Sequence, residues 1–226
     1  MKRIVVFIFL FFTNLCVCFA QTKIFYSDGP KNVKKIALTF DDGPSKATKK
    51  ILAILKKKGI RATFFLVGIR VEANPDIVKA IVSAGHEVAN HTYQHINFYS
   101  YNVENKTDKV ERELLQGKNA IRKITNVETF LVRFPYGYSK SDAVEVARRY
   151  GCHVINWSFG CDWKKITVEE MHNKYRKAVR NGAIFLMHDL NESSKVLLFL
   201  SDFIDELKKS GYEIVTVSEL LKLSHL

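Results

Sequence analysis

The side chains best suited to chemistry in this 226-residue chain are two adjacent carboxylates and two imidazoles four residues apart. The carboxylates lie in Thr39-Phe40-Asp41-Asp42-Gly43-Pro44, the imidazoles in His91-Thr92-Tyr93-Gln94-His95. On a helical turn, side chains four apart share a face and can hold one metal ion. With a carboxylate from another strand, such a pair makes a two-His-one-Asp site that leaves positions open for water and substrate. No Glu lies between the histidines, so this is not the metalloprotease helix motif, and the base must come from elsewhere. The Asp pair offers both missing parts. One carboxylate would ligate metal, and the other would take a proton from water whose pKa the metal lowers towards about 7. Each feature also has a plain structural explanation. An N-cap beside a solvated Asp accounts for the pair at a strand-to-helix turn, and surface His pairs are common.

The elements around these residues decide whether they can meet. Short apolar runs at 35–40, 63–67, 87–90, 130–134, 153–158, 183–187 and 213–217 read as strands. Amphipathic stretches at 48–58, 75–84, 108–123, 142–150, 167–180, 194–209 and from Ser218 onward read as helices, several ended by Gly. Asp108 is placed as a cap. Alternation of this kind, with strands apolar on both faces, describes an α/β chain with a parallel sheet covered by helices. Seven such units fit a closed or nearly closed barrel, with an open doubly wound sheet as the alternative. No Gly-rich phosphate fingerprint follows the first strand, which removes the main support for dinucleotide binding.

In this arrangement the polar residues gather at one end. Asp41 and Asp42 end the first strand, and His91 and His95 follow the third. Arg133 closes the fourth with Pro135-Tyr136-Gly137 beyond it. Asp162-Trp163 follows the fifth, and His188-Asp189 ends the sixth. Barrel enzymes place their active sites at the C-terminal ends of strands. A salt bridge at a strand end explains Arg133 alone, a half-buried core residue explains His188 alone, and a core Trp explains Trp163. The coincidence of five strands is what points to a site.

Length fits one large domain, and no linker or repeat suggests a second. Residues 1–20 carry Lys2 and Arg3, then an apolar run, then Cys18-Phe19-Ala20, which reads as a secretory signal cut after Ala20. An uncleaved anchor is the rival. The remaining 21–226 form the domain, with no stable membrane span after cleavage. The formal charge of +12 drops by two to +10 when Lys2 and Arg3 leave. A basic exported protein suits an anionic polymer such as cell-wall material, although excess Lys also simply solvates helices. No nucleic-acid-binding motif is present. Cys16 and Cys18 depart with the leader. Cys152 and Cys161 flank the strand-like run 153–158, whose length holds them beyond disulfide reach.

The four segments Thr39-Phe40-Asp41-Asp42-Gly43, His91-Thr92-Tyr93-Gln94-His95, Arg133-Phe134-Pro135-Tyr136-Gly137 and Leu186-Met187-His188 resemble, in order, four of the five signature motifs of the polysaccharide deacetylases, the NodB-type domain or carbohydrate esterase family 4. The resemblance covers essentially the whole of 21–226. It implies a single distorted (β/α) barrel of about seven parallel strands with outer helices. It also implies one divalent metal ion, usually Zn2+, and hydrolysis of an acetyl group on a glycan. Carried over by position, Asp42, His91 and His95 would ligate the metal, Asp41 would be the general base and Arg133 would orient it. The Tyr136 N–H would hold the oxyanion, Leu186 would line the acetyl-methyl pocket and His188 would be the general acid. Trp163 would pack on the His188 side of the pocket. The segment Trp157-Ser158-Phe159-Gly160-Cys161-Asp162-Trp163 departs from the family pattern. It is one residue short and lacks the acidic group often found near Gly160, so Asp162 is the candidate to tune His188. The expected function is thus a secreted metal-dependent N-deacetylase of amino-sugar polymers, periplasmic, extracellular or envelope-associated. Peptidoglycan is the first substrate and chitin-type oligomers the second. A non-catalytic glycan-binding protein of the same fold, or a metal amidase acting on a small amide, is the alternative. The aromatic loop 93–101 is either a sugar-stacking platform or a packed surface loop.

Overall fold

The computed structural model describes residues 23–190, 192 and 194–224. The leader and its two cysteines lie outside the described residues. The strands are β1 (Phe25–Tyr26), β2 (Lys35–Asp41), β3 (Thr63–Leu66), β4 (Glu87–Asn90), β5 (Leu131–Val132), β6 (His153–Ile155), β7 (Ile184–His188) and β8 (Glu213–Val215). All ladder pairings among them are parallel, in the order β1-β6-β5-β4-β3-β2-β7. β2 is the spine. Its C-terminal half pairs β3 on one side, its N-terminal half pairs β8, and β7 runs along it from Ala37 to Asp41. The sheet curls until Ser158 and Phe159, beyond β6, bond to β7 through the Ser158 N–H to Ile184 O and the Leu186 N–H to Phe159 O. The result is the expected distorted barrel, with the seven expected strands and a two-residue β1 that is too short to leave an apolar signal.

The helices are α1 (Lys46–Lys58), α2 (Gly68–Ala73), α3 (Pro75–Ser83), α4 (Lys106–Thr125), α5 (Ser141–Arg149), α6 (Val168–Lys177), α7 (Val196–Lys209) and α8 (Val217–Leu221). Their apolar stripes, such as Ile51 and Leu55 of α1 and Phe199, Phe203 and Ile204 of α7, pack on Phe40, Phe64 and Phe185 of the sheet. The barrel interior is filled separately by Ala37, Phe65, Ala89, Leu131, Ile155 and Ile184. Alternate residues along each strand thus serve outer and inner layers, so the strands read as unbroken apolar runs.

Several boundaries differ from the sequence reading, each for a local reason. Ser45, not an Asp, caps α1, in a reciprocal box with Thr48. Asp108 lies in the first turn of α4, whose cap is Asn105, rather than at the cap itself. Thr216 caps α8 and so moves its start one residue before Ser218. β6 stops at Ile155 because the chain leaves it to cross onto β7. Cys152 and Cys161 are not bonded to each other, as expected, and both are buried. Among the described residues no helix is long and apolar enough to cross a membrane.

Candidate active site

Parallel register sets the site. Asp41, the last residue of β2, lies directly opposite His188, the last residue of β7. Asp41 is only 2% exposed, so it is not a solvated turn residue. Its Oδ1 accepts from Arg133 Nη1 at 2.6 Å. Arg133 is fully buried, and its guanidinium makes three further bonds: Nη1 to Thr39 Oγ1 (2.8 Å), Nε to Ile155 O (3.0 Å) and Nη2 to Asn156 O (3.0 Å). The Thr39 hydroxyl passes the chain on by donating to Phe185 O. Arg133 Cζ sits 4.0 Å from the centre of the Phe65 ring. A buried charge is tolerated only when it is paired and its donors are satisfied, and here both conditions hold. Asp41 Oδ2 lies 3.8 Å from His91 Nε2, beyond hydrogen-bond reach.

Asp42, His91 and His95 come together so that one ligand atom of each lies within 4.8 Å of the others. Asp42 Oδ1 is 2.9 Å from His95 Nε2 and 3.4 Å from His91 Nε2. The histidines do not meet by sharing a helical face. They follow β4 in a non-helical turn in which Thr92 and His95 both have positive φ, of 65° and 59°. Asp42 is also left-handed, at φ 74°. Non-Gly residues in this region mark a backbone held by its surroundings. For the His turn, that holder is Glu113 of α4. Its Oε2 accepts the Tyr93 N–H at 3.0 Å and the Gln94 N–H at 2.6 Å. α4 comes this close because of Gly117, where a Cβ would lie 2.1 Å from Asn90 Oδ1.

The donor set fits a cation. His91 Nδ1 lies 2.6 Å from Arg133 O, and a carbonyl can only accept, so Nδ1 carries the proton and Nε2 presents its lone pair. That lone pair faces Asp42 Oδ1, a buried oxygen on which His95 Nε2 also converges. An ionised carboxylate and an imidazole lone pair converging without a proton between them are what a divalent metal completes.

Across the cavity, His188 Nδ1 contacts both oxygens of Asp162, at 2.9 and 3.1 Å, and its backbone N–H donates to Asp162 Oδ2 at 2.8 Å. Burial would lower the imidazolium. The Asp162 carboxylate, helped by Asp41 and Asp42, reverses this and holds it up to about 9. Asp162 is thus the carboxylate that meets His188 Nδ1. Gly160 cannot carry one, since a Cβ there would sit 2.9 Å from Leu186 Cβ and 3.0 Å from the Trp163 ring. Tyr175 of α6 fixes the loop by donating to Leu186 O at 2.6 Å and accepting the Cys161 N–H.

These groups line one open cavity of about 440 Å³, with Leu186 and Trp157 as apolar wall and Tyr136 and Trp163 at its mouth. Tyr136 stands at φ 60° and its ring meets His95 edge-on, at 5.2 Å. Trp163 meets His188 edge-on at 5.6 Å. Asp41, Asp42, His91, His95, Tyr136, Trp163, Leu186 and His188 line this cavity, and Arg133 and Asp162 support residues that do. Asp189 does not: it is fully buried and accepts from Thr48 Oγ1 at the start of α1. Trp157, Thr39, Glu113 and Tyr175 were missed as contributors. Of the aromatic loop, Phe98 packs inward with Tyr138, while Tyr99 stays exposed and its hydroxyl reaches Gly137 O.

Comparison with known proteins agrees with this geometry. The family model for polysaccharide deacetylase matches residues 28–155. A peptidoglycan-N-acetylglucosamine deacetylase of Bacillus cereus is 38% identical over 201 residues, which are 87% of this chain and 92% of that one. Of some longer bacterial relatives the chain spans only 39%. The crystal structure of a peptidoglycan N-acetylglucosamine deacetylase superposes with a TM-score of 0.83 at 29% identity, covering 90% of this chain and 95% of the other. A pseudoenzyme of carbohydrate esterase family 4 from Bacillus anthracis superposes with a TM-score of 0.80 at 29% identity, over 88% and 69% of the two chains. A profile match over more than half the sequence, with likeness continuing through the strands beyond it, means that this chain belongs to the polysaccharide deacetylase family of hydrolases.

Proposed function

We propose that the chain is a metal-dependent N-deacetylase of amino-sugar polymers, with peptidoglycan the first substrate and chitin-type oligomers the second. The observation that carries this is the opposition of two proton-transfer groups across one cluster of metal donors. Asp41 has one oxygen taken by Arg133 and one 3.8 Å from His91 Nε2, and His188 has one nitrogen taken by Asp162 and one free. Both of these second atoms belong to residues that line the cavity holding Asp42, His91 and His95.

A divalent ion held by Asp42, His91 and His95, zinc first, would polarise the acetyl carbonyl and lower the pKa of water there. Asp41 Oδ2 takes a proton as water adds to the carbonyl carbon. The Tyr136 N–H donates to the oxygen on which negative charge grows. Leu186, with Trp157 beside it, receives the acetyl methyl group. His188 enters protonated at neutral pH, because its imidazolium is held up to about 9, and gives its proton to the leaving nitrogen as the C–N bond breaks. The products are acetate and a free amine on the sugar. The open mouth, with exposed aromatic rings of Tyr136 and Trp163 for stacking on sugar faces, supports a polymer rather than a small amide. The presence of base, acid and all three metal donors in one place supports catalysis rather than glycan binding alone. In this reading residues 1–20 are a secretory leader, and 21–226 act outside the cytoplasm or within the envelope.

The test is acetate release from purified peptidoglycan and from chitin oligomers, with the protein stripped of metal and then given zinc. Zinc-dependent acetate from either is the expected result, with peptidoglycan the faster. Absence of acetate from both, with zinc demonstrably bound, would overturn the assignment of substrate, and absence of metal binding would overturn the mechanism.

A further inference from the structure

The rim does not end at Trp163. A second cavity of about 460 Å³ shares Asp42, Trp163 and His188 with the first and runs on along Lys164, Lys165 and Lys195. Lys164 also lines a hollow of about 270 Å³ together with Lys174 and Lys177 of α6. What sets these lysines apart is their place along a groove continuous with the first cavity, since paired and unpaired lysines both occur elsewhere on the surface. Lys35, Lys50, Lys58, Lys109 and Lys118 each pair with a carboxylate. Among the described residues, Lys164, Lys165, Lys174 and Lys177 have no such partner. Lys195 donates to Ile166 O, a neutral acceptor that leaves its charge unmatched. The two carboxylates bordering the groove are already engaged, Asp162 by His188 and Asp42 by His91 and His95. An uncompensated row of ammonium groups along a groove is a poor match for a neutral sugar and a good one for a carboxylate, which each can bond with charge assistance.

We propose that this groove binds a carboxylate-bearing substituent of the glycan strand, next to the sugar whose acetyl group is presented to His188. The inference rests on the deacetylase reading of the adjoining cavity and narrows it. The chain selects strands that carry peptide or acid substituents over uncharged amino-sugar polymers.

The experiment compares one polymer in two states: peptide-bearing peptidoglycan strands with their carboxylates free, and the same strands with those carboxylates amidated. The wild-type protein is expected to lose about five- to ten-fold in kcat/KM on amidation, chiefly through KM, and the preference should shrink as salt is raised. The variant Lys164→Gln/Lys165→Gln should show a preference of less than about two-fold, whereas Lys164→Arg/Lys165→Arg, which keeps both charges, should retain it. Equal handling of the two polymers by the wild type, or an unchanged preference in the Gln variant, would overturn the proposal. So would inhibition by soluble polyphosphate with no preference between the two polymers, which would make the groove a general polyanion anchor. If neither polymer yields acetate, the deacetylase reading fails. Equilibrium binding of the two polymers to the same variants then still decides whether the lysines read carboxylates.

Discussion

The two sides of the cavity solve the same problem differently. Asp41 is held from within the barrel by Arg133, a fully buried cation whose donors end on β2 and on β6 with its extension. His188 is held by Asp162, from a loop whose neighbouring Trp163 is 53% exposed. On the Asp41 side, charge, core and backbone are one structure, so loss of any part should be felt by the whole fold. On the His188 side the orienting carboxylate lies at the rim, tied to β7 through the Tyr175 hydroxyl, and its loss should be felt by chemistry alone. The proton acceptor is therefore built into stability, and the proton donor is built onto it.

The largest effect should come from Arg133→Met. It leaves Asp41 buried and unpaired, so unfolding free energy should fall by about 3–5 kcal/mol, with activity lost as well. A denaturation midpoint close to wild type would break the contrast at its strongest point. Asp41→Asn should be next. It removes the proton acceptor while keeping size and one hydrogen-bonding oxygen, so kcat should fall by about 10³-fold. Zinc binding should persist, because the three donors are untouched. Retained turnover would remove Asp41 from its role, and loss of zinc would place Asp41 in the metal site instead.

This contrast also separates what could be read in the sequence from what could not. Asp41, Asp42, His91, His95, Arg133 and His188 sit at or just beyond strand ends, and a parallel barrel sends strand ends to one rim, so alternation and residue type sufficed to gather them. Glu113 was out of reach. In the sequence it is the acidic half of a Lys109–Glu113 pair on an amphipathic helix, which reads as a solvated face. Only the approach of α4 over Gly117 turns it inward to hold the His turn. The two imidazoles do come together, but not on a helical face: left-handed residues at Thr92 and His95 close the turn that a helix was expected to supply. Asp162 was a candidate by proximity to Gly160, but its pairing with His188 depends on the crossover from β6 to β7, which no local pattern encodes.

On the donor side, Asp162→Asn should lower kcat by about 10–100-fold with the thermal midpoint nearly unchanged. The sign of the pH effect follows from the forces on His188. Burial pushes the imidazolium down and Asp162 pulls it up to about 9. Without the carboxylate, burial dominates. The alkaline limb of the activity profile should then move from near 9 towards or below the ordinary histidine value of about 6.5, so the variant loses relatively most above neutrality. A limb that stays in place would mean that Asp162 orients the ring without setting its charge.

Trp163→Ala is the smallest change and the finest test of the same side. The indole packs edge-on to His188, forms part of the wall between the two cavities and is mostly in water. Its loss removes a surface for sugar stacking but none of the groups that bond His188. The expected outcome is a three- to ten-fold fall in kcat/KM carried by KM, on the order of 1 kcal/mol. The alkaline limb should stay where it is, since Asp162 remains in contact with Nδ1. If the limb instead moves down as far as in Asp162→Asn, the indole is holding the carboxylate against His188. The donor side would then be as interlocked as the acceptor side, with an exposed ring doing from outside what Arg133 does from within.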